Sequence, residues 1–405
     1  MEKEIVIVSA ARTPFGRYGG SLRDYDYFDL GAIPMVEVLK RVKLKPESGI
    51  VDEVFWGCGD TSPCKDVYTS VAARQTLLKA GIPATTPSIA FDKACVSAMS
   101  AVKLGSMGMK VGEIDVAIGG GATSFSQEPL IVRNVRFNGF RLGNVTMEDP
   151  LYALGYKDYN PVSVDTDDVA FEYNISREEQ DEWALRSHKN YGDAWSKGKF
   201  KDEMIVMEIP QKKGEPKVLD IDEQYRPETT SETLAKLKSV YGTRAITAGN
   251  APGLNDGATA ILFMTRDKAN ELGLEPLATV VAMSSIAIHP NRMPEGPAYA
   301  IRKALDLAGM TLDDIAVIEI NEAFAAVPLV STKMLAEGDN KKWEEIKAKT
   351  NINGSAIAIG HPNTASGARI VMTLMYELRR RGGGYALGAI CGGLAQADAC
   401  IIKVG

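Results

Sequence analysis

The run Ile301-Arg302-Lys303-Ala304-Leu305, followed through Met310-Thr311-Leu312 by Ile315-Ala316-Val317-Ile318-Glu319-Ile320-Asn321, reads as an amphipathic helix, a short loop and a buried strand. The first half repeats that order: Val36-Glu37-Val38-Leu39-Lys40 leads through Leu44-Lys45-Pro46 to Val51-Asp52-Glu53-Val54-Phe55-Trp56-Gly57. The correspondence continues downstream. Asp92-Lys93-Ala94-Cys95 opens a run of small and apolar residues to about Met109, which reaches the strand Asp115-Val116-Ala117-Ile118 and Gly119 to Gly121. In the second half, Gly360-His361-Pro362 opens a helical run from Ala368 to Leu378, which reaches Tyr385-Ala386-Leu387-Gly388-Ala389-Ile390 and then Cys391-Gly392-Gly393. Two matching halves of alternating strands and helices predict an α/β fold with pseudo-twofold duplication and parallel sheets covered by helices.

The expected division is 1–124 for the first half, completed by about 251–276, and 277–405 for the second. Residues 125–250 have a different texture, rich in Tyr, Asp and Lys. Within them Ser176 and Glu179 hold capping-box positions, opening a helix that carries Trp183 and Leu185 and is expected to break near Gly192. This segment reads as an inserted loop domain that covers the site.

At 405 residues, with 45% hydrophobic and 24% charged residues, the chain has the composition of an ordinary globular protein. A formal net charge of -6 argues against nucleic-acid binding, which relies on clustered Lys and Arg. No apolar stretch approaches the ~20 residues of a membrane span. Ile5-Val6-Ile7-Val8 is too short and too acidic in its flank for a signal peptide, so it is expected to be the first buried strand of a cytoplasmic protein. Five widely spaced cysteines do not suggest a disulfide framework. Cys58 and Cys64 lack a second Cys/His pair for zinc and are read as a loop near a subunit interface, Cys400 as core, and no metal site is expected.

Four places put a reactive side chain beside glycine or at a helix start. Cys95 is expected near a helix N-terminus, where the dipole favours its thiolate, although an unperturbed thiol of pKa ~8.5 still needs a base. Taken alone, a packed core thiol explains it equally well. His361 lies in a tight turn before a helix, where a bland core histidine is unexpected. Of the other two histidines, His188 reads as a solvated surface residue and His289 as structural. Cys391 precedes two glycines, where a backbone can approach a substrate, but it too has a core reading. Asn321, read alone, is a helix cap.

The constellation is more informative than its members. Ser9-Ala10-Ala11-Arg12-Thr13-Pro14-Phe15-Gly16, Ile175-Ser176-Arg177-Glu178-Glu179-Gln180-Asp181, Thr247-Ala248-Gly249-Asn250, Gly253-Leu254-Asn255-Asp256-Gly257-Ala258, Asn321-Glu322-Ala323-Phe324-Ala325 and Cys391-Gly392-Gly393 follow one another along the chain. Together they resemble the thiolase family. The resemblance implies a thiolase fold with two duplicated βαβαβαββ-type halves, a layered αβαβα core and an inserted loop domain, assembled as a homodimer or homotetramer. It implies coenzyme A as a substrate, CoA thioesters as ligands and no permanently bound cofactor. By the same resemblance, His361 takes the proton of Cys95, which attacks a 3-ketoacyl-CoA and is acylated, and Cys391 moves the proton of the acetyl carbanion. The amides of Cys95 and Gly393 form one oxyanion hole, and His361 with a water on Asn321 forms the other. Arg226, Met293, Ala323, Phe324, Ala248 and Leu254 fall at coenzyme- or pocket-contacting positions.

The chain departs from the family at Asp92, Pro252, Thr364, Leu394, Ala395 and Ala397, and a His-Met pair of the loop domain has no counterpart near Asn160 to Val164. These departures are expected to cluster around the substrate and to select an acyl group other than that of acetoacetyl-CoA. Two alternatives are a carrier-protein-dependent ketoacyl synthase, which pairs its cysteine with two histidines, and a catalytically silent acyl-CoA-binding scaffold.

Overall fold

A computed structural model describes residues 3–59, 65–137, 139–153 and 155–405. The helix Tyr27–Arg41 is capped by Asp26, whose side chain accepts from Asp29 N at 2.8 Å, and it leads to the strand Glu53–Gly57. The helix Gly296–Ala308 ends at Gly309 with φ 64°, where a left-handed residue closes the turn before the strand Ile315–Ile320. The helix–loop–strand units read from the sequence are therefore both formed.

Strands run in the order Ile315–Ile320, Gly384–Cys391, Gln396–Val404, Ala278–Ala287, Ile5–Arg12, Asn255–Thr265, Val116–Thr123, Glu53–Gly57 and Ser88–Phe91. The halves match outward from the junction of Ile5–Arg12 with Ala278–Ala287, where Val6 pairs with Thr279 and Ile7 with Ala278. In the second half the outermost position is reduced to a parallel bridge between Ile318 and Thr350.

The sheets are mixed, which corrects the all-parallel expectation. Glu53–Gly57 is parallel to both Val116–Thr123 and Ser88–Phe91, and Ile315–Ile320 is parallel to Gly384–Cys391; the remaining pairs are antiparallel. The reason is linker length. Only residues 392–395 separate Gly384–Cys391 from Gln396–Val404, and a parallel return needs a crossover of a dozen or more residues.

Apolar burial follows the layers. One cluster joins the first-half sheet to Leu30, Met35, Val38 and Leu77 of its outer helices, and another joins the second-half sheet to Ile301, Ala304, Leu329 and Val330. A third fills the space between the sheets with Val102 and Met109 of the helix Ser97–Val111 and Ile370, Leu374 and Leu378 of the helix Ser366–Arg381. Those two central helices touch near their starts: a Cβ on Gly367 would lie 2.5 Å from Met99 N. Cys95 and His361 stand just before equivalent helices, so the duplication brings them together.

The inserted segment is pinned to the first half through Arg12. Its guanidinium is wholly buried and bonds Asp222 at 2.7 and 3.0 Å and Glu203 at 2.7 Å. Breaking such a buried ion pair typically costs about 3–5 kcal/mol. The capping box of Ser176 and Glu179 forms as read, but the helix runs through Gly192 to Ser196. Gly192 is accommodated because the Tyr225 hydroxyl occupies the place of a side chain, 2.3 Å from a built Cβ. The face carrying Trp183, Ala184, Ser187, His188, Tyr191 and Ala194 packs inward. His188 is consequently 5% exposed, not a solvated residue, and its Nδ1 accepts from Arg226 N at 3.3 Å. Charged neighbours in sequence concealed which face it occupies.

Candidate active site

Cys95 lies in a single 3-10 turn, Ala94–Val96, that feeds the helix Ser97–Val111. The turn is braced locally: Asp92 Oδ1 accepts from Ala94 N at 2.7 Å, Ser97 Oγ accepts from Lys93 N at 2.9 Å, and Ala94 takes φ 49°. A non-glycine residue in the left-handed region costs about 1–2 kcal/mol, and such strain collects at sites where surroundings enforce it. Across the molecule, Gly360 at φ 110° allows the chain to turn, and His361 N donates to Asn255 Oδ1 at 2.8 Å.

The imidazole is the centre of the site. His361 Nε2 is 3.1 Å from Cys95 Sγ, and Nδ1 is 2.7 Å from Ser366 Oγ. Ser366 donates its own proton to Pro362 O at 3.1 Å. A hydroxyl has a single proton, so Ser366 must accept from Nδ1–H, leaving the Nε2 lone pair toward the thiol. Burial pushes His361 down to about 4, which keeps it neutral near pH 7 with a lone pair on Nε2. Burial, and then the neighbouring Cys391, push the Cys95 thiol well above its usual range. Burial also raises Cys391 to about 12. The resting arrangement is therefore a neutral thiol–imidazole pair with a second protonated thiol beside it.

Cys391 ends the strand Gly384–Cys391 and is fully buried. Gly392 N donates to Gln396 O at 2.7 Å, closing the turn that displays Gly393, Leu394 and Ala395. Leu394 and Ala395 take φ 53° and 57°, left-handed values that favour glycine. Cys391, Ala395, Met293, Ala323 and Phe324 belong to one apolar cluster.

Asn321 is not a helix cap. It is fully buried after the strand Ile315–Ile320, the next helix begins at Ala326, and neither side-chain polar atom has a partner among the described residues. Its backbone N–H donates to Ala389 O at 3.0 Å. A buried amide side chain with two open hydrogen-bonding atoms suits a water or substrate oxygen.

Leu254 forms a backbone bridge with His361. Arg226 and Ala248 are exposed on the inserted segment, and among the described contacts neither touches the cysteines. Thr364 points to the first half. It is buried, its Oγ1 donates to Ala122 O at 2.5 Å, and its N donates to Thr123 Oγ1 at 3.1 Å, fastening the His361 turn to the first half. His289 is exposed and precedes the 3-10 segment Pro290–Glu295. Cys400 is core, and Cys58 is buried; Cys64 lies outside the described residues.

Sequence reasoning missed Ser366, although its place five residues after His361, at the first residue of the helix Ser366–Arg381, was a usable signal. It also missed the clamp between the two cysteine-bearing loops. Lys93 Nζ bonds Asp398 Oδ1 at 2.6 Å and the hydroxyls of Ser100 and Ser285 at 3.1 Å, and Asp398 pairs in register with Ile390. Glu322 supplies a further tie. Buried, it accepts from Trp183 Nε1 at 2.8 Å, Ser187 Oγ at 2.7 Å, Asn351 Nδ2 at 3.0 Å and Ile357 N at 3.1 Å, tying the inserted helix to the segment before His361. Among the described residues no group of three or more His, Cys, Asp or Glu could hold a metal, and no helix is long and apolar enough to cross a membrane.

Comparison with known proteins identifies the family. Residues 5–267 match the thiolase N-terminal domain and residues 274–404 the thiolase C-terminal domain. The chain is 39% identical over 406 residues to an acetyl-CoA acetyltransferase of Chromobacterium violaceum, covering 97% of this chain and 98% of the relative. It is 39% identical to an acetyl-CoA acetyltransferase of Syntrophomonas wolfei subsp. wolfei over the full length of both. The crystal structure of human mitochondrial 3-ketoacyl-CoA thiolase superposes with a TM-score of 0.92 at 38% identity, covering 100% of this chain and 99% of that one; its complex with CoA gives 0.91. With both domains matched in order along nearly the whole chain, this protein belongs to the thiolase family.

Proposed function

We propose that this protein is an acyltransferase that cleaves 3-ketoacyl-CoA with coenzyme A to acetyl-CoA and a shortened acyl-CoA, or runs the reverse Claisen condensation. The observation that carries the assignment of roles is the neutral His361 Nε2 at 3.1 Å from Cys95 Sγ. His361 takes the thiol proton as Sγ adds to the ketone carbon. Breaking the carbon–carbon bond leaves the acyl group on Cys95 and an acetyl-CoA carbanion, which Cys391 protonates. The Cys391 thiolate then takes the proton of an incoming coenzyme A thiol as its sulfur attacks the acyl thioester, and Cys95 leaves as a thiolate that recovers its own proton from the His361 imidazolium. One thiol cannot hold the acyl group and carry that proton, so two cysteines are required.

The Cys95 and Gly393 amides are assigned to one oxyanion hole. Each lies in the first residues of a short turn, where amides lack acceptors within the turn. His361 and the unpartnered Asn321 are assigned to the other. Arg226, Ala248, Leu254, Met293, Ala323 and Phe324 are assigned to the CoA thioester, and the half-buried Leu394 to a pocket wall that disfavours acetoacetyl-CoA. Coenzyme A is assigned as substrate, with no permanently bound cofactor.

A ketoacyl synthase would need a second histidine beside Cys95. His188 is held by Arg226 N on the inserted segment and His289 is exposed, which favours the thiolase reading. A homodimer or homotetramer is proposed from two exposed features. The edge strand Ser88–Phe91 leaves Ile89 45% exposed, and Phe137 and Leu142 project from the inserted segment at 94% and 107%.

The deciding experiment incubates the purified protein with coenzyme A and a panel of 3-ketoacyl-CoAs beside Cys95→Ser. Thioester cleavage by the wild type alone, with an acyl group trapped on Cys95, is the expected result. No cleavage of any member would favour the silent scaffold.

A further inference from the structure

Three separate parts of the chain converge on Gly393. A Cβ built there would lie 1.8 Å from the Tyr156 hydroxyl oxygen, 2.8 Å from the Tyr156 ring carbon Cζ and 3.3 Å from Ala94 Cβ. Backbone geometry puts a Cβ about 2.5 Å from its own amide nitrogen, so the hydroxyl lies within about 4.3 Å of Gly393 N. Ala94 directly precedes Cys95, and its φ of 49° turns that residue into the same space. The nucleophile's turn, the turn after Cys391 and one tyrosine of the inserted segment thus border a single small volume beside Cys95.

The geometry points to Tyr156 as a third hydrogen-bond donor to the acyl carbonyl oxygen, alongside the amides of Cys95 and Gly393. This inference rests on the thiolase reading above. As the Sγ–carbon bond forms, the carbonyl π pair moves onto oxygen, and the phenol stabilises that charge by donating a hydrogen bond without giving up its proton. When the carbon–carbon bond breaks the pair returns, and the tyrosine is unchanged. The contact also accounts for glycine at 393, since any side chain there would displace the hydroxyl. It gives the inserted segment a direct part in the chemistry: an element outside the duplicated halves completes a site that the halves build.

Tyr156→Phe tests this, because it keeps the ring against Gly393 and removes only the donor. Thiolysis of acetoacetyl-CoA and of 3-ketohexanoyl-CoA by the full-length enzyme would be measured, with rapid-quench acylation of Cys95 and a thermal melt as companions. The expected result is a fall of about 10- to 100-fold in kcat and in the acylation rate for both substrates, with KM within about threefold and the melt unchanged. An unimpaired kcat overturns the assignment. So does a loss confined to one substrate through KM, which would make Tyr156 a pocket wall, or a fall in kcat that simply follows a lowered melt. Tyr156→Ala, which also removes the ring, should lose at least as much kcat; a smaller loss would likewise count against the donor role. A wild type that cleaves no 3-ketoacyl-CoA defeats the thiolase reading itself, whereas an active wild type with an equally active Tyr156→Phe defeats only this inference.

Discussion

His361 lies between Cys95 Sγ at 3.1 Å and Ser366 Oγ at 2.7 Å, and the second contact decides what the first can do. With Ser366 donating to Pro362 O, the imidazole is held with its proton on Nδ1 and its lone pair on the nucleophile. Ser366→Ala removes that orientation while leaving His361 in place. Its kcat is expected to fall about 10- to 100-fold with little change in KM, as steady-state thiolysis would register. Equal kcat in the variant and the wild type would show that the imidazole is oriented without the hydroxyl.

Separating the two thiols chemically separates the half-reactions. Cys391→Ala keeps Cys95, His361 and Ser366, so acetyl-CoA should still acetylate Cys95, visible in the intact protein mass. Condensation to acetoacetyl-CoA should drop by about 10²- to 10⁴-fold for want of a proton carrier. Loss of both together would mean that Cys391 is needed for acylation as well.

Acid should weaken the fold through its buried imidazoles. His188 is lowered to about 4, chiefly by burial and then by Arg226, so it is neutral when folded at a pH where an unfolded histidine is already charged. The unfolded state therefore binds the extra proton between about pH 6.5 and 4, and stability contributed by this group falls through that window by about 1.4 kcal/mol per pH unit. Above about pH 6.5 it contributes no pH dependence. His188→Asn preserves an acceptor for Arg226 N without titrating. Urea unfolding at pH 7 and pH 5 should show a shallower loss for the variant; matching slopes would contradict the assignment.

Leu394→Gly tests both strain and selectivity. The left-handed backbone at φ 53° costs a leucine about 1–2 kcal/mol, partly offset in the variant by the greater freedom of unfolded glycine. Stability is expected to stay within about 1 kcal/mol of the wild type or rise slightly. The ratio of kcat/KM for acetoacetyl-CoA over longer or branched 3-ketoacyl-CoAs should increase. A ratio that does not move would remove Leu394 from the pocket wall.

The clamp beneath the cysteines can be broken from the carboxylate side. Asp398 is 1% exposed and binds Lys93, Ser100 and Ser285, so Asp398→Ala leaves a largely buried ammonium and two hydroxyls without their acceptor. A loss of about 3 kcal/mol in unfolding free energy is expected, with a lower kcat because the nucleophile's turn loses its tie to the strand beside Cys391. Chemical denaturation and thiolysis would be compared on one preparation.

By itself the sequence determined the duplicated α/β order, and it pointed to Cys95, His361, Cys391 and Asn321 as the candidate reactive set and to a segment of different texture between the halves. Each of these is written in local pattern: helix–loop–strand order, glycine beside a reactive group, and a change of texture between the halves. Tertiary structure decided the rest, because it depends on contacts between residues distant in the chain. Only folding placed the starts of the two central helices side by side, so that a cysteine and a histidine 266 positions apart became partners. Burial, which no local pattern encodes, turned His188 inward, left Asn321 with open polar atoms and kept His361 neutral. Thr364, legible only as a missing glycine, became an anchor because Ala122 and Thr123 of the other half meet it. Tyr156 had no signal in its own neighbours at all, since its contact with Gly393 is made across the fold.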